Sequence, residues 1–157
     1  MRPLANADNF NEVAGSLSPD GRWVAYAANP GNIWQIYVRR LDAESGRWLA
    51  STTGGGTEPR WGANGRELYY RERDSVHVVS FQGTDETPVI GAPRALFEAG
   101  RYIAWPTEVH YDVSRDGQRF VFISGSQGSI TLNIVLNRLD QLRARITDAF
   151  RSQFCFA

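Results

Sequence analysis

Three short stretches of the chain turn apolar and aromatic directly after a tight-turn signal. Trp23, Val24, Ala25 and Tyr26 follow Asp20-Gly21; Leu68, Tyr69 and Tyr70 follow Asn64-Gly65; Phe120, Val121, Phe122 and Ile123 follow Asp116-Gly117. Short runs this rich in aromatic and β-branched residues predict strands rather than helices. A second run follows each. The first contains Ile33, Trp34, Ile36, Tyr37 and Val38, after the turn Asn29-Pro30-Gly31-Asn32. The second contains Val76, Val78, Val79 and Phe81, and the third Ile130, Leu132, Ile134 and Leu136 in strict alternation. Alternation of that kind predicts a half-buried strand. A fourth strand is predicted around Trp48 to Thr52 in the first unit and around Arg94 to Phe97 in the second. The third unit lacks one. After Asn137 the spacing of Leu139, Leu142, Ile146 and Phe150 becomes helical, which predicts an amphipathic helix over roughly 138–152.

The three units are copies of one pattern. Residues 16–29, 60–73 and 112–125 align on their Asp-Gly or Asn-Gly turns, 44 and 52 residues apart. Asp-Gly and Asn-Gly suit tight hairpins, because Gly reaches positive φ freely and the Asp or Asn side chain bonds its own backbone. A period near 40–45 residues with about four strands per unit is the signature of a β-propeller blade, the longer interval implying an insertion. Gly54-Gly55-Gly56 suits a tight passage from one blade's outer edge to the next blade's inner strand.

The Ser-Pro-Asp-Gly-Arg turn at residues 18–22, followed by an apolar strand, resembles the WD-like repeat of TolB-type propellers. The wider run is similar to the C-terminal propeller of large bacterial proteins, many of which carry a serine/threonine kinase or DNA-binding domain. It comprises SPDGRWVAYAAN, IYVRRLD, STTGGGTEPRWGANGRELYYR, YDVSRDGQRFVF and the strand ending Val135-Leu136-Asn137. The similarity covers about residues 13–143. It departs at Gly62-Ala63, where Ser-Pro is usual, and at Arg115, where Pro is usual. The expected fold is therefore all-β. Three four-stranded antiparallel blades, about 13–53, 58–98 and 109–137, form a partial propeller over 1–137, the last blade incomplete. Residues 138–157 supply a short helix and tail. Propellers close with four to eight blades, so two completions stay open. Either the chain is the C-terminal part of a larger bacterial protein, or two copies form a homodimer that completes a six-bladed ring. In the second case residues 2–6 of each copy would complete the other's third blade.

Composition narrows the function classes. Seventeen basic and seventeen acidic residues cancel, and every basic residue is Arg, so no global field draws the chain to nucleic acid or anionic lipid. The N-terminus has no apolar signal region, and no apolar run approaches the ~20 residues that span a bilayer. No membrane insertion by this chain is expected. Its compartment is not legible, though a membrane-tethered parent would place it outside the cytoplasm. The single Cys155 cannot form an internal disulfide.

Catalytic and cofactor signals are not found. The chain has no Gly-x-Ser-x-Gly elbow and no kinase motifs. Gly54-Gly55-Gly56-Thr57 lacks the Gly-Lys-Ser/Thr ending of a phosphate loop, and the spacing of Asp112, Ser114 and Asp116 lacks the terminal Glu of a calcium loop. His77 alternates with Val76 and Val78, as a solvated or pocket-lining side chain would. No catalytic, cofactor or metal residues are therefore expected, and no cofactor. The expected function is non-catalytic: binding of a protein or peptide partner, or sensing, for a parent such as a receptor-like serine/threonine kinase. Loops on propeller faces commonly carry contacts. They give a candidate partner-binding set of Arg60, Trp61, Arg101, Tyr102, Trp105, Glu108 and His110. The alternative is the substrate-gating propeller of a prolyl-oligopeptidase-like serine peptidase lacking its hydrolase domain.

Overall fold

The computed structural model describes residues 11–42, 46–52, 54–126 and 129–136. The first sheet is a four-stranded meander of β1 (Glu12–Leu17), β2 (Trp23–Ala28), β3 (Gln35–Arg40) and β4 (Trp48–Leu49). The second runs β5 (Thr57–Trp61), β6 (Glu67–Glu72) and β7 (Ser75–Gln82). Its outer edge is divided between β8 (Val89–Ile90) and β9 (Arg94–Glu98), which pair opposite ends of β7. The third holds β10 (Tyr111–Val113), β11 (Arg119–Ser126) and β12 (Ser129–Leu136). Every pairing is antiparallel.

The outer strand expected around Arg94 to Phe97 is present as β9, whereas the one expected around Trp48 to Thr52 is shorter. β4 covers only Trp48–Leu49, and Thr52 instead bridges Gly55 in the turn that leaves the sheet. The second sheet's edge is split because Gly91, Ala92 and Pro93 interrupt it, and a proline cannot donate to a ladder. The helix expected over 138–152 and the strand expected over 2–6 lie outside the described residues. No helix among the described residues is long and apolar enough to cross a membrane.

The turns explain why three dissimilar sequences form the same hairpin. In the first, Ser18 Oγ donates to Asp20 and accepts the Trp23 N–H at 2.9 Å, while Asp20 also accepts the Arg22 N–H at 3.1 Å. Ser114, Asp116, Gln118 and Arg119 repeat that network in the third. The second keeps the Asx bond, Arg66 N–H to Asn64 Oδ1 at 2.8 Å, but Gly62 has no hydroxyl to supply the rest. Gly21, Gly65 and Gly117 share φ values of 69°, 67° and 68°.

Side-chain alternation stacks the sheets in series. Counted from Asp20, Asn64 and Asp116, the fourth and sixth residues onward are Val24/Tyr26, Leu68/Tyr70 and Phe120/Phe122. Leu68 and Tyr70 pack with Trp23, Ala25 and Ala27 of the first sheet in one core. Phe120 and Phe122 pack with Tyr69, Val76 and Val78 of the second in another. β6 is thus buried on both faces, Leu68, Tyr69 and Tyr70 alike. Edge-to-face rings lock the first interface, Trp61–Phe81 at 4.8 Å and Trp23–Phe81 at 5.2 Å. The second has Tyr69–Phe120 at 5.3 Å and Phe97–Phe120 at 5.1 Å. Each such pair contributes about 0.5–1.5 kcal/mol beyond its buried area.

Candidate functional site

The passage from β9 to β10, residues 99–110, is the longest connection between strands. Two buried charges hold it from beneath. Arg71 of β6 reaches up from the core; its Nη2 donates to the Ala99 carbonyl at 2.8 Å and its Nη1 to the Ile103 carbonyl at 3.2 Å. Glu58 of β5 is fully buried. Its Oε1 accepts the Trp105 N–H at 3.1 Å and its Oε2 the His110 N–H at 3.0 Å. The Glu58 carbonyl also accepts the Tyr111 hydroxyl at 2.9 Å.

Glu58 occupies a bulge. The β5–β6 register shifts between Thr57 and Arg60, and Glu58 has φ 55°. The equivalent position in β1, Ala14, has φ 54° beside its own bulge. A non-glycine residue at positive φ is uncommon and strained. Here it turns the carboxylate out of the strand and toward the next sheet. Burial pushes the Glu58 carboxyl above the usual carboxylate range; the His110 N–H and the positive charge of Arg71 act in the opposite direction.

Above these anchors the loop divides into a seated half and a presented half. Tyr102 is buried and stacks on Phe122, ring centres 4.6 Å apart and planes nearly parallel. Arg101 lies over the outer side of Tyr102, 5.0 Å from its centroid. Ile103 joins the third sheet through its N–H to the Ile123 carbonyl at 2.9 Å. Trp105, by contrast, is 61% exposed although its own N–H is held by Glu58. Glu108 stands in solvent with one oxygen 3.3 Å from His110 Nε2, and the His110 ring is mostly covered.

Five of the seven candidate residues therefore lie on this one loop. Arg101, Trp105 and Glu108 are exposed there, while Tyr102 and His110 are covered. Arg60 and Trp61 belong to β5 instead. Trp61 is buried at the first interface, its Nε1 donating to the Ser16 carbonyl at 3.0 Å. Arg60 bridges the second, Nε to the Tyr111 carbonyl at 3.4 Å. Periodicity does not separate an indole packed between sheets from one at a blade top.

Glu58 and Arg71 were missed by the sequence reading, although Arg71 carried a signal. In register, Arg71 matches Ala27, a buried alanine of the first core, and Ile123. Glu58 matches Ala14 and His110, and so carried no such mark.

A second polar cluster closes the first interface. Thr52 Oγ1 donates to Glu72 Oε2 at 2.7 Å, and His77 Nδ1 lies 3.7 Å from that oxygen with its ring tilted against Tyr70. Thr52 and His77 both address the carboxylate, so the histidine is not set to activate the hydroxyl. No grouping of three or more His, Cys, Asp or Glu able to hold a metal occurs among the described residues.

No protein-family model matches the chain, and no curated protein matches it by sequence. Solved structures do match in fold. The structure assigned as TolB from Agrobacterium tumefaciens superposes with a TM-score of 0.58 at 15% identity, over 83% of this chain and 50% of its own. TolB from Acinetobacter baumannii superposes with a TM-score of 0.56 at 18% identity, over 87% of this chain and 32% of its own. The chain is a TolB-like β-propeller module over most of its length, and it spans half or less of the TolB chains that it matches.

Proposed function

We propose that this module captures a protein or peptide partner through the outer face of the 99–110 loop, with Trp105 as the anchor and Arg101 and Glu108 flanking it. The observation that carries this reading is the mismatch between a solvent-facing indole and the effort spent holding its backbone. A tryptophan 61% exposed leaves most of its apolar area unused for folding, whereas tryptophan and arginine are enriched among the residues that dominate interface energetics. The loop beneath it is tied to buried Glu58 and Arg71, so little conformational freedom is lost on binding, and pre-organisation of that kind raises affinity. The module itself does no chemistry in this reading. It serves a larger bacterial protein, such as a receptor-like serine/threonine kinase, as a docking or sensing domain.

The test is a peptide-display selection on the folded chain, followed by titration of the selected peptides against variants. Trp105→Ala with Arg101→Ala should weaken binding at least about tenfold, the loss expected from removing an interface anchor worth ~1.4 kcal/mol or more. Circular dichroism should stay unchanged and the unfolding midpoint should move little, since both side chains are exposed and Arg101 gives up only its contact with the Tyr102 ring. Selected peptides that bind the folded double variant with undiminished affinity would remove this surface from consideration.

A further inference from the structure

Arg22 and Arg66 occupy the same place in the repeat, two residues after Asp20 and Asn64, and each gives its N–H to that turn side chain. On the first sheet the place holds a carboxylate. Arg22 Nη2 donates to Asp85 Oδ1 at 2.6 Å. Arg40, which pairs with Trp23 across β2 and β3, donates to the Asp85 carbonyl. Asp85 belongs to the turn between β7 and β8, and that turn passes close over Trp23: a Cβ at Gly83 would lie 2.5 Å from the Trp23 Nε1. The chain thus contains one instance of an acidic turn seated on this arginine place.

On the second sheet the same place is open. Arg66 is exposed, and its guanidinium has no ion-pair or hydrogen-bond partner among the described residues. Ser80 pairs with Glu67 as Arg40 pairs with Trp23. Its hydroxyl and the Gln82 amide are likewise without partners among the described residues. These three side chains line a cleft of about 590 Å³ between the β5–β6 turn and the β7–β8 hairpin, with Phe81 and Val89 as its apolar part. The Glu67 carboxylate beside it is already occupied, accepting the Tyr69 hydroxyl at 2.8 Å. An unspent guanidinium flanked by neutral hydrogen-bonding groups and an apolar patch suits a carboxylate carried on a peptide.

We propose that this cleft is a second binding site, for an acidic turn of a partner protein, with the partner's carboxylate on Arg66 and its backbone within reach of Ser80 and Gln82. The ligand chemistry is the one that the first sheet already displays at Arg22. The cleft opens beyond the end of β5, whereas Glu58 and the loop it anchors lie at that strand's start. The site is therefore separate from the 99–110 loop and stands or falls independently of it.

Heteronuclear NMR on the full chain tests this. The probe is a cyclised peptide of residues 83–88, Gly-Thr-Asp-Glu-Thr-Pro, because that turn carries the carboxylate seated on Arg22. The amide signals of Gly65, Arg66, Ser80 and Gln82 should shift and saturate at millimolar peptide or below. Arg66→Gln should weaken binding about fivefold, the upper loss for an exposed ion pair. A peptide with Asn and Gln in place of its two acids should bind the wild type as weakly. Arg66 serves the turn through its backbone alone, so the variant folds, and an unchanged spectrum elsewhere verifies that it does. Added salt should weaken the wild type's binding more than the variant's. An absence of shifts, equal binding of the uncharged peptide, or shifts centred on Arg22 and Arg40 would overturn the proposal. Binding that appears only after Asp140→Asn would do so too, because a segment of this chain outside the described residues would then be the occupant.

Discussion

At the scale of single residues the hairpin turns are the most informative positions. Asp20 and Asp116 each accept a serine hydroxyl and a backbone N–H, and these bonds hold both carboxyls below the usual range. The second turn folds to the same backbone without the serine, which isolates what the hydroxyl adds. Gly62→Ser would supply an acceptor for the Glu67 N–H, as Ser18 does for Trp23 and Ser114 for Arg119. A Cβ at Gly62 meets Glu67 and Tyr69 at 3.4 Å, which is contact without overlap. The substitution should stabilise the chain by about 1 kcal/mol, combining one hydrogen bond with a less flexible unfolded state. Urea unfolding measures it, and a lowered midpoint would mean that the turn does not have the geometry of its two counterparts. These turns were legible in the sequence because every partner lies within five residues. Trp61 was not, because its Ser16 partner is a carbonyl 45 residues away.

At the scale of elements the β5 bulge and the 99–110 loop form one device. The strands were legible from apolar runs and turn signals, and the loop from its excess length over the repeat. The anchors' partners were not, because Glu58 and Arg71 bond to backbone groups 28 to 52 residues distant, and a backbone partner carries no sequence mark. Replacing the carboxylate by an amide sets an NH2 against one of two N–H donors and leaves Arg71 without its compensating charge. Glu58→Gln should therefore destabilise by about 2 kcal/mol. The pH dependence has a definite sign. The folded-state carboxyl binds its proton more tightly than the unfolded one, whose value is 4.5. Its contribution to stability consequently grows as pH falls from the raised folded value toward 4.5, and is lost as pH rises through the folded value. The stability gap between wild type and Glu58→Gln should widen on moving from neutral pH to 4.5. A gap that narrows over that range would show that the carboxylate is held charged by its partners rather than desolvated.

At the scale of the whole molecule three sheets are joined by two different seams. The first is sealed by indole and phenyl rings, with Trp61 donating across it. The second adds to its rings the buried anchors that carry the loop. Its stability and the presentation of Trp105 are therefore one property: the loop should open only when the second and third sheets part. Residue-resolved amide hydrogen exchange on the full chain tests this most directly. The Trp105 and His110 amides, both donors to Glu58, should exchange with the same opening free energy as the amides of β11. Exchange at those two positions as fast as in an unstructured peptide, with β11 still protected, would contradict the account. Trp105 would then sit on a loose loop rather than on a surface built to receive a partner.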